Sequence, residues 1–329
     1  MRIRRFGETG LEASEIGFGT WALGSNWWGD VSEADGERLL LEAVELGITF
    51  FDTGDAYGKG ANEELVGRVL APHRDRVQLS TKFGYDLHAD RQEHSEGERP
   101  QRWDGAFIRE ALEASLTRLR TDRVDLYQLH NPRMDAIESD ECFATLEALR
   151  DEGKIRYYGI ALGPAIGWRE EGLRALRERE LASVQTVYNL LEQQPGDDFL
   201  AVAAERGAGV MARVPTSSGL LDDNLTLETE FTGSDHRRHR PRKWLVEGLQ
   251  KIDRIRFLCE QGSGRTMAQA ALRFILAQPQ MASVIPTITN QRELREYAGA
   301  ADVPDLSPEE LERVGELYER NFDVEPAAV

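Results

Sequence analysis

Eight short apolar runs, each followed by a longer amphipathic stretch, set the strongest limit on how this chain folds. The runs are Glu15–Gly19, Gly47–Asp52, Val77–Lys82, Val124–His130, Ile155–Ile160, Ser183–Val187, Gly209–Arg213 and Ala282–Pro286. They are rich in Val, Ile, Leu and Phe without clean alternation, as strands covered on both faces are. Between them, Ser32 stands as an N-cap before the Glu33–Leu46 pattern, and Gly47 stops it. In Ala106–Leu119, residues Phe107, Ile108, Leu112, Leu116 and Leu119 recur at helical spacing. Thr266 caps a helix over Met267–Ala277, and Ser307-Pro308-Glu309-Glu310 reads as a capping box with proline at the first helical position. This alternation predicts an α/β fold, a single (β/α)8 TIM barrel over residues 1–329, with a doubly wound open sheet as the competing arrangement. The initial Ile3–Leu11 segment is expected to form a hairpin across the barrel floor. Three stretches exceed what the scaffold needs: Phe83–Gly105 after the third strand, Leu220–Lys243 after the seventh, and the tail beyond Asn321. Loops this long usually carry function or move.

Composition narrows the class. A chain of 329 residues, 40% of them hydrophobic, can bury a large core. Its net charge of −18, from 58 acidic against 40 basic residues, argues against nucleic-acid binding, which depends on basic patches. No apolar run approaches the ~20 residues of a membrane helix, and Met1–Gly7 lacks the apolar stretch of a signal peptide. Two cysteines, Cys142 and Cys259, are too few for a disulfide framework. A cytoplasmic enzyme acting on a small molecule, with no nucleic-acid or membrane partner, is the expectation.

Polar residues stand where several of the strand runs end: Asp52 after Gly47–Phe51, Lys82 after Val77–Thr81, and His130 after Val124–Leu129. In a barrel these C-terminal strand ends open onto one face, where catalytic groups collect. Tyr57 lies just beyond Asp52. The set suits reduction of a carbonyl. Hydride arriving at the carbon leaves negative charge on oxygen, which needs a proton donor. Tyrosine is a weak acid, and an adjacent ammonium favours its ionised form. Asp52 can hold that ammonium, and His130 can donate a hydrogen bond to the carbonyl. Each residue alone is more simply a packing or ion-pair residue; the four together are not.

Here the sequence resembles the aldo-keto reductase family over nearly its whole length. The matching motifs are Phe51-Asp52-Thr53-Gly54-Asp55-Ala56-Tyr57-Gly58, Ser80-Thr81-Lys82-Phe83-Gly84, Gln128-Leu129-His130-Asn131-Pro132 and Gly153-Lys154-Ile155-Arg156-Tyr157-Tyr158-Gly159-Ile160. The resemblance implies Tyr57 as general acid, Lys82 and Asp52 as its tuning partners, and His130 as the donor that orients substrate.

The resemblance also implies a cofactor, NADP(H) in preference to NAD(H). Gly19, Thr20 and Trp21 would lie beside the nicotinamide ribose with Asp52, and Gln185 would hold the carboxamide. Pro215, Ser217, Ser218 and Gly219 fall in a turn that is similar to the family's pyrophosphate loop, where backbone amides face the anion. Thr287, Thr289, Arg292, Glu293 and Glu296 belong to the adenosine-phosphate segment, with Arg292 or Arg295 placed to neutralise a 2′-phosphate. Asn290 and Glu293 form a capping pair for the helix that follows. Two positions depart from the family pattern: Ala161-Leu162 replaces Ser-Asn, and Arg213 replaces a tyrosine that stacks on nicotinamide. A planar guanidinium can also stack on a ring.

Trp21, Trp27, Trp28, Tyr85 and Trp103 are placed to form an apolar rim for substrate, which Trp21, Trp28, Tyr57, Tyr85 and His130 would contact. The basic run Asp235–Lys243 reads most simply as a solvated loop, with approach to the cofactor phosphates as the alternative.

Overall fold

The computed structural model describes residues 1–24, 31–89, 99–163, 168–233, 235–260 and 262–325. Its strands are β1 (Ile3–Arg5), β2 (Glu12–Ser14), β3 (Phe18–Gly19), β4 (Phe50–Asp52), β5 (Gln78–Phe83), β6 (Val124–His130), β7 (Ile155–Ala161), β8 (Ser183–Val187), β9 (Gly209–Arg213) and β10 (Met281–Ile285). Its helices are α1 (Glu33–Glu45), α2 (Ala61–Leu70), α3 (Gly105–Leu119), α4 (Met134–Glu138), α5 (Asp140–Asp151), α6 (Arg169–Glu178), α7 (Gly196–Arg206), α8 (Arg242–Arg254), α9 (Met267–Leu276), α10 (Gln291–Ala298) and α11 (Pro308–Glu319).

Strands β3 to β10 pair in sequence order, all parallel, in one sheet of eight. The sheet then closes on itself. Gly17 N–H donates to the Val284 carbonyl at 2.8 Å, and Gly19 N–H to Pro286 at 3.0 Å. A Cβ on Gly19 would come within 2.8 Å of the Pro286 oxygen, so the seam needs glycine there. Closure rules out the doubly wound sheet. Paired strand lengths run shorter than the apolar runs at β3 and β4, because Glu15 to Gly17 and Thr49 bond across single contacts rather than continuous ladders.

The expected hairpin is present as antiparallel β1 and β2, reaching Ser14 rather than stopping at Leu11. It covers the floor. Phe6 is fully buried among Phe50, Leu126 and Met211 inside the barrel, its ring 5.3 Å from that of Phe50. Burying one such side chain contributes about 1.5–3 kcal/mol. Outside the barrel, the opposite faces of the strands pack on the helices through Phe51, Leu79, Tyr127, Val184 and Val210.

Local signals explain the helix starts. Ser32, Thr266, Ser307 and Asn290 each accept the N3 backbone N–H of the following helix, and Thr266 and Ser307 form complete capping boxes. Glu293 does not return to Asn290. Its carboxylate instead accepts from the Thr289 N–H and hydroxyl, both at 2.8 Å. Among the described residues, no helix is long and apolar enough to cross a membrane.

Candidate active site

Inward side chains change character along each strand. Near the floor they are apolar: Phe50, Leu126 and Met211. Two residues further on, hence on the same face of the strand, stand Asp52, Gln128 and Arg213, and His130 follows Gln128 by two. Lys82 follows Ser80 by the same step. The C-terminal rim therefore gathers carboxylate, ammonium, amide, imidazole and guanidinium over an apolar base.

Asp52 is the hub. Lys82 Nζ donates to its Oδ2 at 2.6 Å and to the Thr53 carbonyl at 2.6 Å. Ser80 Oγ and Gln128 Nε2 donate to Oδ1 at 2.9 and 3.0 Å, and Gln185 Nε2 donates to Oδ2 at 3.2 Å. Lys82 is 1% exposed and Asp52 4%, so the pair is held dry. Burial alone would push the Lys82 ammonium down, but Asp52, with Tyr57 adding, raises it on balance. Lys82 stays charged.

Tyr57 is brought in by the turn after β4. Its ring lies on Gly54, where a Cβ would sit 3.3 Å from the ring, and Gly58, Lys59 and Gly60 continue with left-handed backbone into α2. Lys82 Nζ is 5.0 Å from the ring centroid. His130 meets the Tyr57 ring edge-on at 5.7 Å and the Tyr85 ring at 5.0 Å. Burial, then Lys82 and Arg213, hold His130 well below its usual range, so the imidazole is neutral. Its Nδ1 is buried with no hydrogen-bond partner among the described residues.

A cavity of about 520 Å³ is lined by Asp52 and Tyr57 of this cluster together with Gln185, Arg213, Ser218, Asp222, Glu293 and Tyr297. The sequence model of the aldo/keto reductase family matches residues 15–319. The chain belongs to the aldo-keto reductases. It is 32% identical to the oxidoreductase YqkF of Bacillus subtilis over 315 residues, 94% of each chain. A glycerol dehydrogenase of Gluconobacter oxydans matches the fold with a TM-score of 0.82 at 27% identity, covering 99% of this chain and 98% of its own. An aldo/keto reductase of Klebsiella pneumoniae, solved with NADP and acetate, matches with a TM-score of 0.71 at 28% identity, covering 96% and 95%.

Of the cofactor candidates in this aldo-keto reductase, Gly19, Trp21, Asp52 and Gln185 line the cavity near Tyr57. Arg213, Pro215, Ser218, Thr287 and Glu293 line it as well. Thr20 does not reach it by its hydroxyl, which is fully buried within 3.0 Å of the Asp52 carbonyl and 2.7 Å of Asn62 Oδ1. Ser217 and Gly219 shape the turn from behind, with Val214, Ser217, Ser218 and Gly219 all at positive φ. Thr289 is engaged by Glu293, and the Glu296 carbonyl accepts from Gln269. Arg292 is exposed at the start of α10, whereas Arg295 pairs with Glu42 at 2.5 Å.

Of the substrate candidates, Tyr85 sits against His130 and accepts from Asn131 Nδ2 at 2.7 Å. Trp103 packs inward on Phe83 rather than joining the rim, and Trp27 and Trp28 lie outside the described residues. The basic run divides. Arg238, Arg240 and Arg242 are all exposed, but His236 and Arg240 also line the cavity, with Arg240 Nη2 donating to Ser218 Oγ at 3.3 Å. Within the segment Asp235 pairs with Arg237 at 2.7 Å, and Arg237 Nη1 donates to the Ser218 carbonyl at 3.4 Å. His236 meets Trp21 edge-on at 5.2 Å.

Sequence reasoning passed over Ser80 and Gln128, although strand parity places both on the inward face with Lys82 and His130. It also passed over Gln101, whose Nε2 donates to the carbonyls of His130 and Asn131 at 2.8 and 3.1 Å, and Asp222, whose carboxyl burial raises to about 7. No local pattern marks these two.

Proposed function

We propose that this aldo-keto reductase interconverts aldehydes or ketones with their alcohols, using NADP(H), with Tyr57 as the proton-transferring group. The observation that carries the reading is the buried Lys82 ammonium, fixed by Asp52 at 2.6 Å and lying 5.0 Å from the Tyr57 ring centroid. When bound, the nicotinamide supplies or accepts the hydride. Tyr57 gives its proton to the carbonyl oxygen, and Lys82 offsets the negative charge left on the phenol oxygen. Neutral His130 keeps one N–H to donate to the same oxygen, an interaction that strengthens as charge grows there. Trp21 on the cavity wall and Tyr85 against His130 are the aromatic side chains placed to select the carbonyl's substituents.

The donor set fits a dinucleotide. Asp52 and Tyr57 line the cavity, and Ser218, His236, Arg240 and Tyr297 add hydroxyl, imidazole, guanidinium and phenol groups to its wall. Preference for NADP(H) is supported by the NADP bound in the Klebsiella relative, by the basic segment over the cavity, and by exposed Arg292, left for a 2′-phosphate. Following NADPH and NADH absorbance against a panel of aldehydes and ketones tests the reading. Turnover with NADPH is expected. Tight NADPH binding with no turnover on any carbonyl would move the protein to a cofactor-binding regulatory role, and preference for NADH in both affinity and turnover would overturn the cofactor assignment.

The state of His130 adds a pH prediction. Its folded value lies well below 6.5, so lowering the pH through 6.5 protonates the unfolded imidazole but not the folded one. Stability contributed by neutral His130 is therefore present above about 6.5 and lost toward more acid pH. For the same reason, kcat/KM for reduction should show no inflection near pH 6.5. An inflection there that disappears in His130→Gln would contradict the neutral-donor role.

A further inference from the structure

The cavity wall beside the catalytic cluster carries an unneutralised cation. Arg213 ends β9, and its Nη1 donates to the Leu162 carbonyl at 3.2 Å. Leu162 is itself fixed, its N–H donating to the Gln185 carbonyl at 2.9 Å. The guanidinium is thus held at the strand ends, in the lining of the same cavity as Asp52, Tyr57 and Gln185. Among the described residues, no carboxylate forms an ion pair with it. The neighbouring charges cancel. Lys82 and Asp52 are paired at 2.6 Å, and His130 is neutral. Arg213 is close enough to depress His130 after burial and Lys82 have acted, so its field reaches the reacting end of the cavity.

Hydride exchange with a carbonyl held at Tyr57 and His130 requires the nicotinamide ring to lie against this wall. The oxidised ring carries a positive charge that the reduced ring lacks, while the phosphates are the same in both forms. We propose that Arg213 makes the protein bind NADPH more tightly than NADP⁺, so that the oxidised cofactor leaves readily and turnover is biased toward carbonyl reduction. The inference rests on the nicotinamide-dependent reading above. Repulsion between two cations a few ångströms apart, screened to protein-surface strength, separates the two affinities by about tenfold or more. A tenfold separation raises the potential of the bound two-electron couple by about 30 mV. Arg213 therefore favours release of the oxidised form at some loss of driving force in the transfer step.

Titration of the protein without substrate, by calorimetry or by fluorescence, gives Kd for NADPH and NADP⁺ separately, with NADH and NAD⁺ in parallel. In the wild type, the oxidised form is expected to bind at least about tenfold more weakly than the reduced form. Arg213→Gln should bring the two together, mainly by tightening the oxidised form, and Arg213→Lys, which keeps the charge, should retain the separation. Equal affinities in the wild type overturn the proposal without any variant. So does a ratio that Arg213→Gln leaves unchanged, or a lysine variant that behaves like glutamine, which would assign the effect to shape. Failure of the wild type to bind any of the four nucleotides would instead overturn the reading on which the proposal rests.

Discussion

Tyr57→Phe is expected to lower kcat for carbonyl reduction by about 10²–10⁴-fold, the usual weight of a positioned proton donor. The change deletes one hydroxyl and keeps the ring. That ring lies on Gly54 and meets His130 edge-on at 5.7 Å, contacts that phenylalanine reproduces, so the turn and the cavity should survive. The lost interaction exists only as charge develops on the substrate oxygen, so kcat and kcat/KM should fall together. Affinity for NADPH, measured by titration without substrate, should stay where it was. Undiminished reduction by the phenylalanine variant would remove Tyr57 from the role of acid. A fall in NADPH affinity comparable to the fall in kcat would show that the hydroxyl mainly binds cofactor.

The clustering of Asp52, Tyr57, Lys82 and His130 was legible because each stands at or just past the end of an apolar run, and a parallel barrel brings such ends to one rim. The same alternation fits both a barrel and a doubly wound open sheet, and the Gly17 and Gly19 contacts decide for the barrel. Less was legible where position depends on tertiary folding. Gln101 reaches the His130 carbonyl across 29 residues of sequence, and the Asp235–Lys243 run gives no sign of which of its cations turn inward. The contacts that decide it are tertiary: Arg237 Nη1 donates to the Ser218 carbonyl and Arg240 Nη2 to the Ser218 hydroxyl. Thr20 shows the opposite limit. It stands beside the residues that face the cavity, but the turn after β3 directs its hydroxyl to Asn62 and the Asp52 carbonyl, locking that turn to α2. Glu293 follows the same logic: its spacing from Asn290 is that of a capping box, yet Thr289 offers two donors and takes the carboxylate instead.

Lys82→Met should destabilise the protein as well as abolish most of its activity, and the two effects can be separated. Removing one member of a buried ion pair leaves the other charge uncompensated, which costs about 3–5 kcal/mol. Asp52 retains donors from Ser80, Gln128 and Gln185, so the lower end of that range is expected from urea-unfolding midpoints. If the loss comes from the stranded carboxylate, neutralising it should return most of the stability, because paired charges replaced together by neutral groups cost little. Asp52→Asn in the Lys82→Met background is that test, with both single variants completing the cycle. Activity should not return with stability, since the ammonium that offsets charge on the Tyr57 oxygen is still missing. A double variant as unstable as Lys82→Met would show that the lysine stabilises by packing rather than by pairing. A double variant that regains both stability and turnover would show that the ammonium serves the fold alone.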